Sequence, residues 1–386
     1  MSRIDDLIAE YCPDGVKHQT LGEIGEFIRG NGIQKRDFRD SGFGCIHYGQ
    51  IYTYYGLFAD HTKSFIDPNL AEKRKKAYKG DLVIATTSEN EEDVCKACAW
   101  LGEEPIAISG DAYIFRHHQN PKYISYCFQS ELFQSQKKKY ITGTKVLRVN
   151  GDAMAKIHVP VPPLPVQEEI VRILDSFSSL EAELEAELEA RRKQYTHYRD
   201  ELLKFERVLI ASLGELCKIS VGRKNGTAGE FGEYPYVNAG TSMSGFVNEW
   251  SEEGDCVTTP SRGQGGMGFV AYQASRFWCG PLCYVMRSKH SDVMIKYVYY
   301  YLCSHKADIL GLVHEGGTPA INKSELAGLR ILVPPFEEQQ RIVSILDRFD
   351  KLTNDLSSGL PAEIEARHKQ YEYYRDRLLS FDELAA

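Results

Sequence analysis

One stretch of this chain occurs twice, and nothing else in the sequence limits the possible folds so strongly. Residues 161–177 read VPPLPVQEEIVRILDSF and residues 189–205 read EARRKQYTHYRDELLKF. Residues 333–349 read VPPFEEQQRIVSILDRF and residues 365–381 read EARHKQYEYYRDRLLSF. The opening blocks lie 172 residues apart and the closing blocks 176, so the second copy is longer by four residues, about one helical turn.

Each copy has helical spacing. In the first, Ile170, Ile173, Phe177, Leu180, Leu184, Leu188, Tyr195, Tyr198, Leu202 and Phe205 advance in steps that share one face of a 3.6-residue period. In the second, Ile342, Ile345, Phe349, Leu352, Leu356, Leu360, Ile364, Tyr371, Tyr374, Leu378 and Phe381 do the same. Glu181, Glu183, Glu185, Glu187 and Glu189 outline a charged face opposite the first stripe. An apolar stripe needs a partner, and the other copy is the obvious one, so we expect a coiled pair, antiparallel or near-parallel, rather than two unrelated bundle helices. Pro162-Pro163 and Pro334-Pro335 lead into the helices, where a missing N–H costs nothing. Gly359-Leu360-Pro361 breaks the second copy into a shorter helix up to about Ser357 and a longer one from Pro361. The regular leucine steps resemble a ruler: a helix over 179–205 measures about 40 Å at ~1.5 Å per residue, close to a ~34 Å turn of B-DNA.

The remaining sequence also repeats, more faintly. A leader of one or two helical turns ends at Cys12-Pro13-Asp14-Gly15. Beyond it come short β-like runs over Cys45–Tyr48, Asp81–Ala85, Ala112–Arg116 and Val146–Val149, separated by glycine-rich turns. A helix is expected over Pro121–Phe133. After the first long helix the landmarks return: Leu213-Gly214-Glu215 echoes Leu21-Gly22-Glu23, Gly254-Asp255 echoes Gly80-Asp81, a tyrosine-rich helix over Asp292–Leu302 echoes the one near Pro121, and Gly316-Gly317-Thr318-Pro319 echoes Thr142-Gly143-Thr144-Lys145. Leu209-Ile210-Ala211 also resembles Leu7-Ile8-Ala9, so the second helix would lead back to the start if the chain were circular. A kept scaffold with changed surfaces is what two readers of different targets would look like.

Charge and cysteines narrow the setting. The net charge of −8 sits on the helical copies, −5 over 161–206 and −4 over 333–386. Residues 12–150 carry +2 and residues 208–332 none, which leaves the intervening segments free to present basic faces. No run approaches the ~18 apolar residues of a membrane span, and the acidic start lacks a signal-peptide core, so we expect a cytoplasmic protein without a membrane partner. Ten scattered cysteines fit a reducing compartment; Cys95 and Cys98 form a lone CxxC, and buried thiols are the expectation over a metal site.

The repeated motifs resemble those of the DNA specificity subunit of type I restriction–modification enzymes. The resemblance covers nearly the whole chain. It is carried by the double prolines with Gln167 and Gln339, by Ile-Leu-Asp at 173–175 and 345–347, and by Gln-Tyr, Tyr-Arg-Asp and Leu-Leu across 194–203 and 370–379. A Leu-Glu-Ala-Glu repeat stands where the second copy has Leu-Pro-Ala-Glu. The resemblance implies an α+β fold, with two mixed, β-rich target-recognition domains joined by two long antiparallel helical (coiled-coil) regions in an internal pseudo-twofold repeat. The expected division is 1–160, 161–206, 207–332 and 333–386. It further implies a subunit with no catalytic centre and no cofactor of its own, each domain reading half of a bipartite site in double-stranded DNA. The helices would hold two methyltransferase subunits, which use S-adenosylmethionine to methylate adenine N6. Two restriction subunits, working with ATP and Mg, would complete an endonuclease.

The residues themselves agree on the missing chemistry. Both double prolines follow a valine, so no Asn/Asp-Pro-Pro-aromatic methylation motif is present, and there is no GxxxxGK[ST] loop for ATP. Glu89, Glu91, Glu92 and Asp93 read as a solvated loop rather than a nuclease site. Candidate DNA contacts are loop residues that can reach base edges or phosphates. In the first half these are Arg29, Asn31, Gly32, Gln34 and Lys35, then Tyr48 and Gln50, Thr86 and Ser88, and Thr144 with Lys145. In the second half they are Arg223 and Lys224, then Asn238, Gly240 and Thr241, then Ser261, Arg262 and Gln264, and Thr318. Lys73–Lys76 and Lys137–Lys139 are possible phosphate contacts or merely solvated. Any one of these is as readily a polar surface turn; the clusters carry the reading. The competing readings are a coiled-coil scaffold whose two domains ignore DNA, and a protein with nuclease activity of its own.

Overall fold

The computed structural model describes residues 3–223, 228–314, 316–355 and 358–384. The chain forms two compact units, one of residues 1–183 with 365–386, the other of residues 184–364. Each unit contains one β-rich globule and two helical segments, one from each copy of the repeat.

In the first unit, a five-stranded sheet runs in the spatial order Gly25–Arg29, Ala112–His117, Leu82–Ala85, Lys96–Trp100, Phe58–Ala59. The run Leu82–Ala85 has no polar alternation because both its faces are covered. Leu82 and Ile84 pack in one core with Phe115, Tyr123 and Tyr126, while Val83 and Ala85 pack in another with Ile46, Trp100 and Ile108. A second sheet orders Ser64–Ile66, Phe43–Ile46, Ile106–Ile108 and Lys76–Ala77. The second unit has the same plan with fewer strands: Cys217–Val221, Cys283–Ser288, Cys256–Pro260, Ala271–Gln273 in one sheet, and Phe246–Val247, Tyr234–Val237, Trp278–Cys279 in another. The registers match, Arg29 lying opposite Tyr113 and Val221 opposite Tyr284.

Local expectations were met with shifts that have physical causes. The strand expected to reach Tyr48 stops at Ile46, because the His47 side chain accepts from the Gly49 N–H and caps a short helix over Tyr48–Thr53. The helix expected over Pro121–Phe133 is two, Pro121–Gln129 and Glu131–Lys137, since Ser130 is extended and caps the second. Its echo covers Ile295–Ser304. The leader is a nine-residue helix, Arg3–Tyr11, that sends Ile4 into the core.

The central helix runs from Leu164 to Leu202, 39 residues, so it starts directly after the double proline and stops before Phe205. Leu203 is buried and Phe205 packs into the second unit's core, which turns the chain out of its helical path. The second copy is broken where glycine and proline indicated, but into equal helices, Phe336–Asn354 and Leu360–Leu378, 19 residues each. The Gly359 N–H closes the first helix on the Asp355 carbonyl. Ser357 and Leu356 lie outside the described residues.

The stripes do face each other. In the first unit Phe177 stacks on Tyr374 with centroids 5.4 Å apart, and Glu181 meets His368 at 3.3 Å. One number rises while the other falls, so these segments are antiparallel. In the second unit Tyr195 and Tyr198 pack on Phe349 at 6.4 and 5.7 Å. Leu180 and Leu352 remain 47% and 40% exposed, because two helices side by side cover only part of each stripe where no globule lies over them. The end of the chain returns to its start: Val16 donates to the Asp382 carbonyl and accepts from the Leu384 N–H.

Candidate nucleic-acid interface

The motifs that repeat turn out to be fasteners between globule and helix. Gln167 is fully buried; its carbonyl accepts from the Asn120 N–H at 3.0 Å, and its amide donates to Pro162 O at 2.7 Å and Gln119 Oε1 at 2.8 Å. Gln339 repeats this with the Met294 N–H, Pro334 O and Asp292 O at 2.9, 2.9 and 3.1 Å. Asp175 receives Lys122 Nζ at 2.6 Å and the Tyr126 hydroxyl at 2.8 Å; Asp347 receives Lys296 Nζ and the Tyr300 hydroxyl, both at 2.6 Å. The Asp of each Tyr-Arg-Asp closes the far side, Asp376 accepting from the Glu131 N–H and Asp200 from the Ser304 hydroxyl. Burial and the nearby carboxylate raise the Tyr126 and Tyr300 hydroxyls well above their usual range, which keeps them as donors.

The non-repeating residues lie elsewhere, on loops. In the first unit the structure joins two basic clusters that are far apart in sequence. The Asn31 amide donates to Lys73 O and accepts from the Lys75 N–H, so loop 29–36 is stapled onto loop 73–76. Gly32 adopts φ +55°, and a Cβ there would meet the Arg74 guanidinium at 2.9 Å. Lys35 and Gln34 are exposed beside this staple. Arg29 donates to Gly110 O and lines an open cleft of about 370 Å³ with Thr86, Thr87, Asp111, Tyr113, Tyr140, Thr142, Arg148 and Asn150. Thr144 and Lys145 are exposed at the tip of the loop whose stem, Thr142 to Arg148, walls this cleft. Gly143, at φ +98°, turns that tip.

Other expected contacts are committed internally. Gln50 accepts from the His47 N–H and donates to Ser64, Thr86 is buried on Asp111 O, and Ser88 accepts from Asn90. Tyr48 rests on the His47 ring. Lys137 is fully buried, donating to the Glu92 and Val94 carbonyls, and Lys138 pairs with Glu91. Lys139 alone of that run keeps an exposed ammonium without an ion pair among the described residues.

In the second unit Arg223, Gly240, Thr241, Arg262, Gln264 and Thr318 are exposed, and Ser261 is half-buried. Asn238 is spoken for, its side-chain oxygen accepting from the Leu282 N–H at 3.0 Å. Loop 261–265 is tied to loop 314–320 by pairing of Arg262 with Ala320 and by the Gly263 N–H on Pro319 O. Lys224 lies outside the described residues.

Many helix cations are neutralised within their own helix, whereas a set of loop cations is not. On the helices Arg172, Arg191, Lys193, Arg199, Arg341, Lys369 and Arg375 all pair with carboxylates of their own helix. Among the described residues, no carboxylate lies within ion-pair distance of Arg29, Lys35, Lys73, Lys75, Lys145, Arg148, Arg223 or Arg262. Unneutralised cations on loops are what phosphate and base contacts require. Sequence reading missed Asp111, Tyr113, Tyr140, Thr142, Arg148 and Asn150, which come together only through strand pairing; Arg148 had a signal, a lone cation beside the Thr142–Lys145 loop. Cys95 and Cys98 are buried thiols, pushed up to about 12 by desolvation.

The geometry defines a class of protein: an adaptor built twice, whose repeated residues fasten globules to helices and whose unrepeated loops carry exposed cations without ion pairs among the described residues. A family model for the type I restriction modification DNA specificity domain matches residues 13–190 and 208–366. The chain belongs to this family, the non-catalytic DNA specificity subunits of type I restriction–modification systems. The EcoR124I/EcoR124II specificity subunit of Escherichia coli is 35% identical over 273 residues, 60% of this chain and 65%, just under two thirds, of that subunit. A putative type I specificity subunit of Mycoplasma pneumoniae is 33% identical over 244 residues, 59% of this chain and 94% of that relative. In fold, the chain is similar to the type I S subunit of M. genitalium, with TM-score 0.61 and 14% identity over 94% of this chain and 96% of that one. It is also similar to a chain from a study of complex assembly and conformational transition of the type I system, with TM-score 0.60 and 17% identity over 95% and 98% of the two chains.

Proposed function

We propose that each globule reads one half of a split site in double-stranded DNA, and that the helices hold the methyltransferase subunits of the complex. The observation that carries this is the division of labour between the halves. The fasteners Gln167/Gln339 and Asp175/Asp347 are the same in both units, while the loops that carry unpaired cations differ. One frame with two different faces suits two different words. The half-exposed Leu180 and Leu352 offer apolar surface on the helices where a partner subunit would dock. On this reading two methyltransferase subunits and two restriction subunits bind, and S-adenosylmethionine, ATP and Mg belong to them. The candidate residues divide by role. Lys35, Lys73, Lys75, Lys139 and Lys145 serve phosphates, while Arg29, Arg148, Arg223, Arg262, Gln264, Thr241 and Thr318 face bases. The first recognition domain spans 1–160 and the second 207–332, with one helical region over 161–206 between them and the other over 333–386 after the second.

Mapping methylated adenines in the host genome tests the reading directly. Two short words separated by a fixed unread spacer are expected, and they should vanish when this gene is deleted. Methylation at a single undivided word, or a pattern indifferent to the deletion, would sink it.

A further inference from the structure

The two units share a frame around the cleft of the first, and the frame lets their residues be matched position by position. Gly30 N–H donates to Ala112 O, and Gly222 N–H to Cys283 O, so Asp111 corresponds to Leu282. Arg29 faces Tyr113 as Val221 faces Tyr284. Thr142 and Arg148 exchange both backbone hydrogen bonds, as do His314 and Ala320. Arg148 then pairs with Thr87, and Ala320 with Arg262. The Val149 N–H donates to Thr86 O, and the Ile321 N–H to Ser261 O.

The backbone is therefore the same while the lining is not. Tyr113 and Asn150 keep their types as Tyr284 and Asn322. The outward positions do not: Arg29 becomes Val221, Asp111 becomes Leu282 and Thr142 becomes His314. At the ladder pair Thr87–Arg148 the arginine moves to the other strand, as Arg262–Ala320. Each unit thus carries one guanidinium at this pair, projecting from opposite strands, exposed and without an ion pair among the described residues.

We propose that this ladder pair is the base-reading site of each unit, with Arg148, in its cleft, in the first and Arg262 in the second as the residues that set which word is read. This rests on the split-site reading above. In the first unit the lining separates base from phosphate. Asp111 stands in the same cleft as Arg29 and Arg148 and would repel a phosphate. A base edge offers both acceptors for a guanidinium and amino groups for a carboxylate. Sequence is read at base edges, whereas phosphate contacts carry no sequence information directly.

The test uses the full chain assembled with its methyltransferase subunits and a library of duplexes randomised over both words. The unaltered complex should enrich two words, and failure to do so would end the split-site reading itself and this inference with it. Arg148→Ala should lose discrimination by about 5- to 150-fold at one or two positions of a single word, the other word unchanged. Arg262→Ala should do the same to the other word only. Arg148→Gln, which suits adenine, should change the preferred base rather than abolish preference, and so separates a reading role from a folding defect. If both alanine variants weaken all sequences equally and lower the salt slope by about 1, the arginines hold phosphates and the assignment is overturned while the split-site reading stands.

Discussion

At the scale of single residues, the strongest commitments are polar groups that bind helix to globule. The Tyr300 hydroxyl donates to Asp347 at 2.6 Å and Tyr126 does the same to Asp175 at 2.8 Å, each onto a carboxylate that is half-buried and also held by a lysine. Tyr300→Phe removes one of the two donors to Asp347, and since Lys296 and solvent still reach the half-buried carboxylate it should destabilise the second unit by about 0.5–1.5 kcal/mol, read as an earlier urea midpoint. A variant within experimental error of the parent would show that Asp347 is satisfied without it. His117 supplies a pH response. Buried with Nε2 unpartnered, its imidazole is pushed down to about 4 from the usual 6.5, mainly by desolvation. The unfolded chain takes up that proton near 6.5, so its contribution to stability is complete above that pH and is lost as pH falls toward 4. His117→Asn, which can still accept from the Gln119 N–H, should make the urea midpoint less sensitive to acidification from pH 7 to pH 5. An unchanged pH slope would place the titration elsewhere.

At the scale of elements, the central question is where a helix stops. Glycine and proline at 359–361 announced the break in the second copy, and the break is there. A Cβ at Gly359 would lie 2.5 Å from the Lys351 carbonyl and 2.8 Å from those of Leu352 and Asp355. Gly359→Ala should therefore cost at least about 1 kcal/mol by forcing the turn open, seen as faster amide exchange over 351–362. Protection equal to the parent's would mean the turn relaxes without strain. The central helix shows the reverse case. Its periodicity pointed past Leu202 to Phe205, but Leu203 and Phe205 are drawn into the second unit's core instead. Apolar residues at helical spacing satisfy a globule as well as a coiled partner, and periodicity alone does not say which.

At the scale of the molecule, one unit is made from both ends of the chain. Phe381 packs against the first unit's core, and the Asp382 carbonyl and Leu384 N–H pair with Val16. Removing residues from 381 onward should lower the melting of the first unit, by about 2–4 °C for each kcal/mol lost, and leave the second unit's transition in place. Calorimetry should resolve the two; a shift of both together would show that the units unfold as one.

The sequence by itself determined the twofold plan, the helical stripes and their break, the closing of the chain ends on each other, and the absence of a methylation or ATP motif. These follow from periodicity and special residues, which act through local backbone preferences. Only the tertiary structure decided which polar loop residues remain available. Asn31, Gln50 and Asn238 looked like base readers, yet their amides are used to staple loops, while Arg148 and Asp111, 37 residues apart in the sequence, meet in one cleft. A side chain's hydrogen-bonding capacity is spent on whatever strand pairing brings within reach, and that pairing is set by residues far away in the chain.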